Sequence, residues 1–262
     1  MRTWNGALAG YATAQRAAGR AAGTVRLHRH YLGGLAEAHR APWAVTTSHL
    51  QAYLSVPTWA PETRKSARAA VRGFYSWGCL MGHAHDDPSR TLEAVRVPPT
   101  LPRPAPETVV ALGRRAPDAR VALMVMLGAY AGLRAAEIAG LHGRDLVGNV
   151  LVVTGKGGKV RRVPVVEPVL LARLGLVGDA WVFPNGRGTH LSSGHVTRLV
   201  SRELADDWTA HPLRHRFATK AHDGTGDLLA VMRLLGHSRP ETTLRYVLQP
   251  EDALWAAVKA AC

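Results

Sequence analysis

The spacing of apolar positions divides the chain into two parts of different character. Up to about residue 97, apolar residues recur three or four positions apart, which is typical of amphipathic helices. This pattern predicts one helix over about 3–18, a second that follows Thr24 as its N-cap, a third over about 47–54 and a fourth that begins after Pro61. We therefore expect the N-terminal part to be a helical bundle.

The rest of the chain mixes helical and extended patterns. Two valine-rich segments, at about 150–154 and 160–165, predict strands joined by a turn over Gly155–Lys159. Helices are expected around them, at about 106–115, 118–131, 192–205, 211–222, 226–235 and 239–248. The predicted fold is mostly α, with a helical bundle followed by an α+β domain that carries a small antiparallel sheet.

A proline-rich segment separates these two parts. Prolines recur through residues 98–106, which prevents a helix and favours an extended, semi-rigid connector. We predict a helical domain over 1–97, a linker over 98–105 and a second domain over 106–262. A chain of 262 residues is long enough for two domains with separate cores.

The net charge narrows the class of partner. The chain carries 33 Lys and Arg against 19 Asp and Glu, a formal charge of +14, and its sequence pI is about 10.8. Arginine dominates the basic residues, and its planar fork suits bidentate recognition of phosphate. This composition favours nucleic acid as partner, although a merely basic protein would carry the same charge.

Other features exclude several classes of protein. The two cysteines, Cys79 and Cys262, are far apart, so the sequence predicts no disulfide framework and is compatible with a reducing cytoplasm. The longest apolar run, Val121–Leu133, is too short to span a bilayer, and no signal peptide is evident. We expect a cytoplasmic protein with no membrane partner.

A basic stripe is predicted on the fourth helix. Four cations recur there three or four residues apart and share a face: Arg64, Lys65, Arg68 and Arg72. This face is either solvated or follows the phosphates of a nucleic acid.

The second half of the chain carries five chemically distinctive segments in a fixed order. They supply two guanidinium groups with an acidic neighbour, a lysine on a hairpin, three imidazoles and a phenol. The segments are Arg134-Ala-Ala-Glu137, Gly155-Lys156-Gly-Gly-Lys159, His211-Pro-Leu-Arg214-His215, Leu-Leu-Gly-His237, and Tyr246 nine residues later. Such groups can attack a phosphodiester with a tyrosine and without a metal ion.

From about Pro106 to Tyr246 the sequence resembles the tyrosine recombinase (phage integrase) family. The resemblance implies that Tyr246 attacks DNA to form a 3′-phosphotyrosine and that Lys156 protonates the leaving 5′-oxygen. It further implies that four residues stabilise the transition state: Arg134, His211, Arg214 and His237. Glu137 is the carboxylate that orients Arg134, and His215 is expected to have a structural role.

Further DNA contacts are expected beside this site. We predict backbone contacts from the N-terminal stripe and from Lys159, Arg161, Arg162 and Arg245. The resemblance also implies that the N-terminal bundle clamps one side of the DNA. The partners implied are double-stranded core sites with inverted half-sites and three further copies of the chain in a tetramer, with an excisionase left open.

Several alternatives remain at this point. The most similar members are compact phage or mobile-element integrases, because little chain precedes residue 24 for an arm-binding domain. Resolvases of chromosome or plasmid dimers share the same motifs. A type IB topoisomerase shares the chemistry, and a noncatalytic DNA-binding protein is the hypothesis of a different class.

No metal and no cofactor is predicted. His83, His85, Asp86 and Asp87 are interpreted as a polar helix end rather than a metal site. His211 and His215 have the spacing of a zinc-protease helix, but no glutamate follows His211. The Gly155–Lys159 segment lacks the remaining spacing of a phosphate-binding P-loop and its Ser or Thr after the lysine.

Two local predictions concern helix ends. Pro212 is predicted at the first position of its helix with His211 as the cap, and Gly236 as the C-terminal cap of the next helix.

After Tyr246, Pro250 and Asp252 predict one more short helix, which needs a surface to dock on in its own or a neighbouring protomer. The alternative for this tail is a degradation signal.

Overall fold

The computed structural model describes residues 3–98, 103–205 and 208–236, and it divides the chain into two compact units. The first unit is Met1–Thr100 and the second is Leu101–Cys262. The predictions for His237, Arg245, Tyr246 and the tail lie outside the described residues.

The first unit is built from helices, as predicted. They are α1 (Trp4–Ala17), α2 (Ala22–Ala38), α3 (Thr47–Leu54) and α4 (Pro61–Leu80). Thr3 and Thr46 cap α1 and α3 with their hydroxyl groups, and Pro61 occupies the first position of α4.

The predicted start of α2 is wrong. Ala21 is the N-cap and Thr24 lies inside the first turn. The chain reverses at Gly19, whose φ of +69° ends α1 early enough for the next helix to begin before the threonine.

An aromatic cluster forms the core of the first unit. The Phe74 ring stacks on Trp43 with a centroid distance of 5.1 Å and on Trp4 at 5.6 Å. The buried Tyr75 hydroxyl donates to the Pro42 carbonyl at 3.0 Å. Gly78 is required beside this stack, because a Cβ there would lie 2.4 Å from the Trp43 ring.

The second unit places helices around a small sheet. The helices are α5 (Glu107–Arg114), α6 (Ala119–Ala131), α7 (Ala135–Ala139), α8 (Pro168–Gly175), α9 (Ser193–Leu204), α10 (Ala210–Thr225) and α11 (Leu228–Leu235). Helix α6 is buried along nearly its whole length and packs on α10. None of the described helices is long and apolar enough to cross a membrane.

The sheet is antiparallel with strands in sequence order. They are β1 (Leu146–Val147), β2 (Val150–Thr154) and β3 (Val160–Pro164), and Thr154 pairs with Val160 across the predicted hairpin. The mostly α fold with a small antiparallel sheet is therefore confirmed. The elements α7, α8 and β1 were not predicted.

The predicted start of α10 is wrong by two residues. Thr209 is the N-cap, and its hydroxyl accepts from the backbone N–H of His211 at 3.4 Å. Pro212 follows as the third helical residue. A helix tolerates proline there because the N–H groups of its first turn have no partner within the helix. Gly236, with φ +64°, ends α11 as predicted.

Candidate active site

Helix α7 begins at an arginine and buries a glutamate in its first turn. Gly132 ends α6 in the left-handed conformation, and Arg134 becomes the N-cap of α7. The Glu137 carboxylate accepts from the Arg134 backbone N–H at 2.8 Å and from its Nη1 at 3.0 Å. The carboxylate is thus positioned by the start of its own helix, and in turn it orients the Arg134 guanidinium.

A second arginine reaches the same carboxylate from β3. Arg161 donates from Nη1 and Nη2 to the two carboxylate oxygens of Glu137 at 2.8 and 2.7 Å. Its Nε donates to the Leu234 carbonyl at 2.7 Å, and the residue is 9% exposed. The prediction that Arg161 contacts the DNA backbone is therefore wrong, because all three guanidinium nitrogens are bonded within the protein.

The sequence held a signal for this placement. Val163 and Val165 are buried, and a strand alternates its faces every residue, so Arg161 falls on the inner face and Arg162 on the outer. The sequence did not indicate which residue pairs with Arg161, because Glu137 lies 24 residues earlier in the chain.

Arg214 completes the cluster from α10. It is 1% exposed, and its Nη groups donate to the carbonyls of Gly132 and Leu235. Its Nη1 lies 3.7 Å from the Glu137 carboxylate. Three guanidinium groups therefore surround one carboxylate, which leaves the cluster with excess positive charge.

The pKa of Glu137 reflects these partners. Burial alone would raise it, but the Arg161 hydrogen bonds, the Arg134 backbone N–H and the arginine charges outweigh burial and lower the pKa to about 2. Glu137 is therefore anionic throughout the physiological range.

Two histidines are paired one turn apart on α10. The Nε2 atoms of His211 and His215 lie 2.8 Å apart. Burial, followed by the charges of His211 and Arg214, lowers the pKa of His215 to about 4. Partial burial of the ring and the neighbouring charges of Arg214 and Arg134 also lower the pKa of His211. Both imidazoles are consequently neutral at neutral pH.

A pocket of about 550 Å³ lies beside these groups. Arg134, His211 and Arg214 line it together with the first turns of α9 and α10. The N–H groups of a helix N-terminus and the arginine charges both favour an anion. The lining residues Ser193, Gly194 and Thr197 were not predicted, because no sequence motif marks α9 and only the tertiary fold brings it to the pocket.

Comparison with known proteins places this geometry in a family. The phage integrase family model matches residues 107–251, more than half of the chain. A curated protein named tyrosine recombinase XerC, from Bradyrhizobium diazoefficiens, is 31% identical over 237 aligned residues that cover 78% of this chain and 73% of that protein. The chain belongs to the phage integrase family of tyrosine recombinases.

Other relatives and solved structures agree with this placement of the recombinase. Tyrosine recombinase XerD of Xanthomonas campestris pv. campestris is 32% identical, covering 72% of this chain and 68% of that protein. A lambda integrase dimer bound to a core site superposes with a TM-score of 0.74 at 17% identity, over 93% of this chain and 77% of that one. XerH bound to difH gives 0.66 at 21% identity, over 89% and 78%. At these identities the structures support the fold.

The hairpin that carries Lys156 is a glycine-rich turn. The Gly155 N–H donates to the Lys159 carbonyl at 2.7 Å, and Gly157 and Gly158 have φ values of +75° and +73°. Lys159 and the neighbouring Arg162 are exposed, as a DNA-contacting role requires. The side chain of Lys156 lies outside the part of the chain that the structure describes.

The basic stripe of the recombinase's first unit is only partly available. Arg64 donates to the carbonyls of Leu54, Val56 and Trp59, and Arg68 donates to that of Leu92 at 2.6 Å. These hydrogen bonds tie both arginines to their own unit, but both side chains remain half-exposed, so their contact with DNA stays a prediction. The exposed cations of the stripe are Lys65, paired with Glu62 at 3.7 Å, and Arg72.

The acidic and histidine-rich segment that follows α4, predicted to be a polar helix end, lies outside the helix and forms local contacts. His85 lies 3.1 Å from Asp86, and both side chains are almost fully exposed. Asp87 accepts from the backbone N–H and the hydroxyl of Ser89. Within residues 3–98, 103–205 and 208–236, no group of three or more His, Cys, Asp or Glu side chains has an arrangement that could hold a metal ion.

Proposed function

We propose that the pocket beside Arg134, His211 and Arg214 binds the scissile phosphate of double-stranded DNA, and that Tyr246 attacks this phosphate. The observation that carries the proposal is the convergence of two arginines, a neutral histidine and two helix N-termini on one pocket. Such an arrangement stabilises the negative charge that grows on the phosphate oxygens in the transition state.

The reaction exchanges one ester for another. The Tyr246 phenol gives up its proton to a neighbouring base. Its oxygen bonds to phosphorus while the bond from phosphorus to the 5′-oxygen breaks, which leaves a 3′-phosphotyrosine and a 5′-hydroxyl. Lys156 supplies the proton that the leaving oxygen takes up. Attack by the 5′-hydroxyl of a second strand reverses the step and rejoins the DNA, so no metal ion, cofactor or ATP is consumed.

The fixed charges have separate roles in this reaction. Arg134 is held by Glu137 yet has a side chain 40% exposed, so it contacts phosphate oxygens directly. Arg214 lines the same pocket from its buried position. His211 and His237 donate hydrogen bonds to the phosphate, and His215 holds His211 in place through the contact between their Nε2 atoms.

The recombinase acts on paired sites. We propose that the first unit, the core-binding domain, and the second, the catalytic domain, contact core sites made of inverted half-sites. Lys65, Arg72, Lys159, Arg162 and Arg245 would provide backbone contacts. Four copies of the chain assemble on two such sites in the bacterial cytoplasm, and the involvement of an excisionase is left open. The structures of a lambda integrase dimer on a core site and of XerH on difH support the choice of DNA as partner.

Two biological roles fit this chemistry. The first is integration and excision of a phage or mobile element, which the match to the phage integrase family model supports. The second is resolution of chromosome or plasmid dimers, which is favoured by the curated relatives named XerC and XerD. The two roles differ in the DNA sites used, so the sites that the protein recombines in its host separate them.

Covalent trapping tests the chemistry. On a nicked suicide substrate, the wild-type protein should yield an adduct that survives a denaturing gel. Tyr246→Phe should bind the same DNA equally well and yield no adduct, because phenylalanine has no nucleophilic oxygen. An adduct that persists in the variant would assign the nucleophile to another residue, and no adduct with any core site would overturn the proposed function.

A further inference from the structure

Arg161 lies at the centre of the charged cluster but outside the phosphate pocket. It does not line the pocket, and its guanidinium is bonded to Glu137 and to the Leu234 carbonyl. It therefore acts on the reaction only through the groups that it holds.

Those groups come from three separate parts of the site. Arg161 itself stands on β3, two residues after the hairpin of Lys156. Glu137 is the carboxylate that orients Arg134. Leu234 lies in the last turn of α11, and its carbonyl is one that the helix cannot satisfy internally.

The end of α11 is held by two arginines side by side. Arg161 donates a hydrogen bond to the Leu234 carbonyl, and Arg214 donates one to the Leu235 carbonyl. The chain then turns at Gly236, and the next residue is His237, with Tyr246 nine residues further on. The described residues therefore show two arginines fixing the point from which the chain continues to the predicted nucleophile.

Gly236 lets the backbone approach Arg161 closely. A Cβ on Gly236 would lie 3.0 Å from the Arg161 Cδ atom, which is tighter than an ordinary contact, and its φ of +64° also favours glycine. On the other side of the cluster, a Cβ on Gly155 would make an ordinary van der Waals contact of 3.5 Å with a Glu137 carboxylate oxygen.

We propose that Arg161 is a positioning residue for DNA cleavage: it ties the end of α11, from which the chain continues to His237 and Tyr246, to the carboxylate that orients Arg134. The phosphate-binding arginine and the nucleophile segment then share one anchor. The proposal rests on the proposed function of the pocket. It adds a role for a residue that touches neither the phosphate nor the leaving group.

The test separates cleavage from binding. Arg161→Met should bind a half-site as the wild type does, because its guanidinium faces the protein interior. Its rate of covalent complex formation at saturating protein should fall about 100-fold, since a misplacement of about 1 Å can cost that much. Arg161→Lys keeps the charge and one donor nitrogen, so its rate of covalent complex formation should lie between those of the wild type and Arg161→Met.

The matched comparison variant is Arg162→Met. Arg162 is the next residue in the chain and lies on the outer face of the same strand. The substitution should weaken binding and reduce the salt dependence of binding, two properties that Arg161→Met should leave as in the wild type. Loss of binding by Arg161→Met with the same reduced salt dependence would instead make Arg161 a phosphate contact and overturn the proposal.

A substrate with sulfur in place of the bridging 5′-oxygen identifies the route of the effect. A thiolate leaves without needing a proton, so this substrate should rescue Lys156→Ala. It should not rescue Arg161→Met if Arg161 acts through the end of α11. Equal rescue of both variants would mean that Arg161 acts on the lysine hairpin, against the proposal.

The remaining outcomes are also decisive. If Arg161→Met does not fold, the Arg161→Lys variant carries the test, and wild-type cleavage by it would overturn the positioning role. If the wild-type protein and Arg162→Met form no adduct, the proposed function fails instead. If the wild-type protein and the Arg161 variants all cleave DNA at the same rate, the positioning role of Arg161 is overturned and the proposed function stands.

Discussion

The two units of the recombinase use their arginines differently. In the first unit, Arg64 and Arg68 donate to neutral backbone carbonyls and fix loop ends. In the second unit, Arg134, Arg161 and Arg214 surround the single carboxylate of Glu137. A carbonyl holds a guanidinium in place without cancelling its charge, whereas a shared carboxylate also sets how much positive charge remains beside the pocket. The first arrangement stabilises a fold, and the second also prepares an anion site.

The cores differ in a related way. Stacked aromatic rings around Phe74 fill the first unit. The core of the second unit is mostly aliphatic and is centred on α6. There Gly128 permits close contact with Leu213 of α10, because a Cβ on Gly128 would lie 3.0 Å from that side chain. This tight contact fixes the helix that carries Arg214 and His211. The comparison predicts that damage to the first core affects DNA binding, and that damage to the charged cluster affects chemistry.

The largest effect is expected from Glu137→Gln. The substitution keeps the shape but leaves three guanidinium groups without their counter-charge. Removing one partner of a buried ion pair costs about 3–5 kcal/mol. Denaturant unfolding should show that loss, and suicide-substrate cleavage should fall at least as far as in Arg161→Met.

Its control is Glu62→Gln on α4. Glu62 pairs with Lys65 at 3.7 Å, and both side chains are largely exposed. An exposed pair contributes about 0–1 kcal/mol, so stability should scarcely change. Similar losses in the two variants would contradict the contrast between the units.

A smaller effect is expected from Gly78→Ala in the first unit. The added methyl group would lie 2.4 Å from the Trp43 ring, and overpacking of this kind costs about 1–3 kcal/mol. Limited proteolysis should show the first unit opening, and half-site binding should weaken. The cleavage rate of DNA that is bound should stay unchanged.

Gly23→Ala is the matched control. Gly23 lies in α2, and apart from its own helical turn no atom lies within 4 Å of the position that an added methyl group would occupy, so alanine should add about 0.5–1 kcal/mol to stability. If Gly78→Ala also left the first unit intact, the aromatic core would be looser than its ring distances indicate.

The smallest predicted effect is the loss of folding stability at acidic pH. The folded-state pKa of His215, at about 4, lies below the ordinary 6.5, so the unfolded chain binds the proton first and stability falls as the pH drops from about 6.5 to about 4. Glu137 adds a second loss between about 4.5 and about 2, where protonation removes its ion pairs. Denaturation midpoints measured across this range should show both losses.

His215→Gln separates these two contributions. It should flatten the upper part of the profile, because the group that titrates between about 6.5 and about 4 is gone. It should leave the lower part, which belongs to Glu137. A profile that keeps its upper part would assign this loss to His211 and to His28 in the first unit, because burial also lowers the pKa of each.

The sequence predicted those elements that are long and regular. The 3.6-residue pattern located α4, a long apolar stretch located α6, and two valine-rich segments located β2 and β3. Each of these segments is long enough for its composition or pattern to be recognised. Helix α7 has five residues and β1 has two, which is too short for any period to appear. The cap predictions at Thr24 and His211 were wrong because neighbouring residues could also start the helix, and the adjoining turns decided between them.

The sequence by itself determined the kind of chemistry. The order of arginine, lysine, histidine and tyrosine segments indicated the tyrosine recombinase family before any fold was known, because these groups must be supplied by side chains whatever the backbone does.

Only the tertiary structure decided which arginine does what. Arg161 and Arg162 are adjacent in the chain, yet one is buried against Glu137 and the other is exposed. An arginine can be buried only where a carboxylate and carbonyls meet its fork, and those partners come from α7 and α11, distant in sequence. The fold brings these acceptors together, and so it converts a general excess of positive charge into one site.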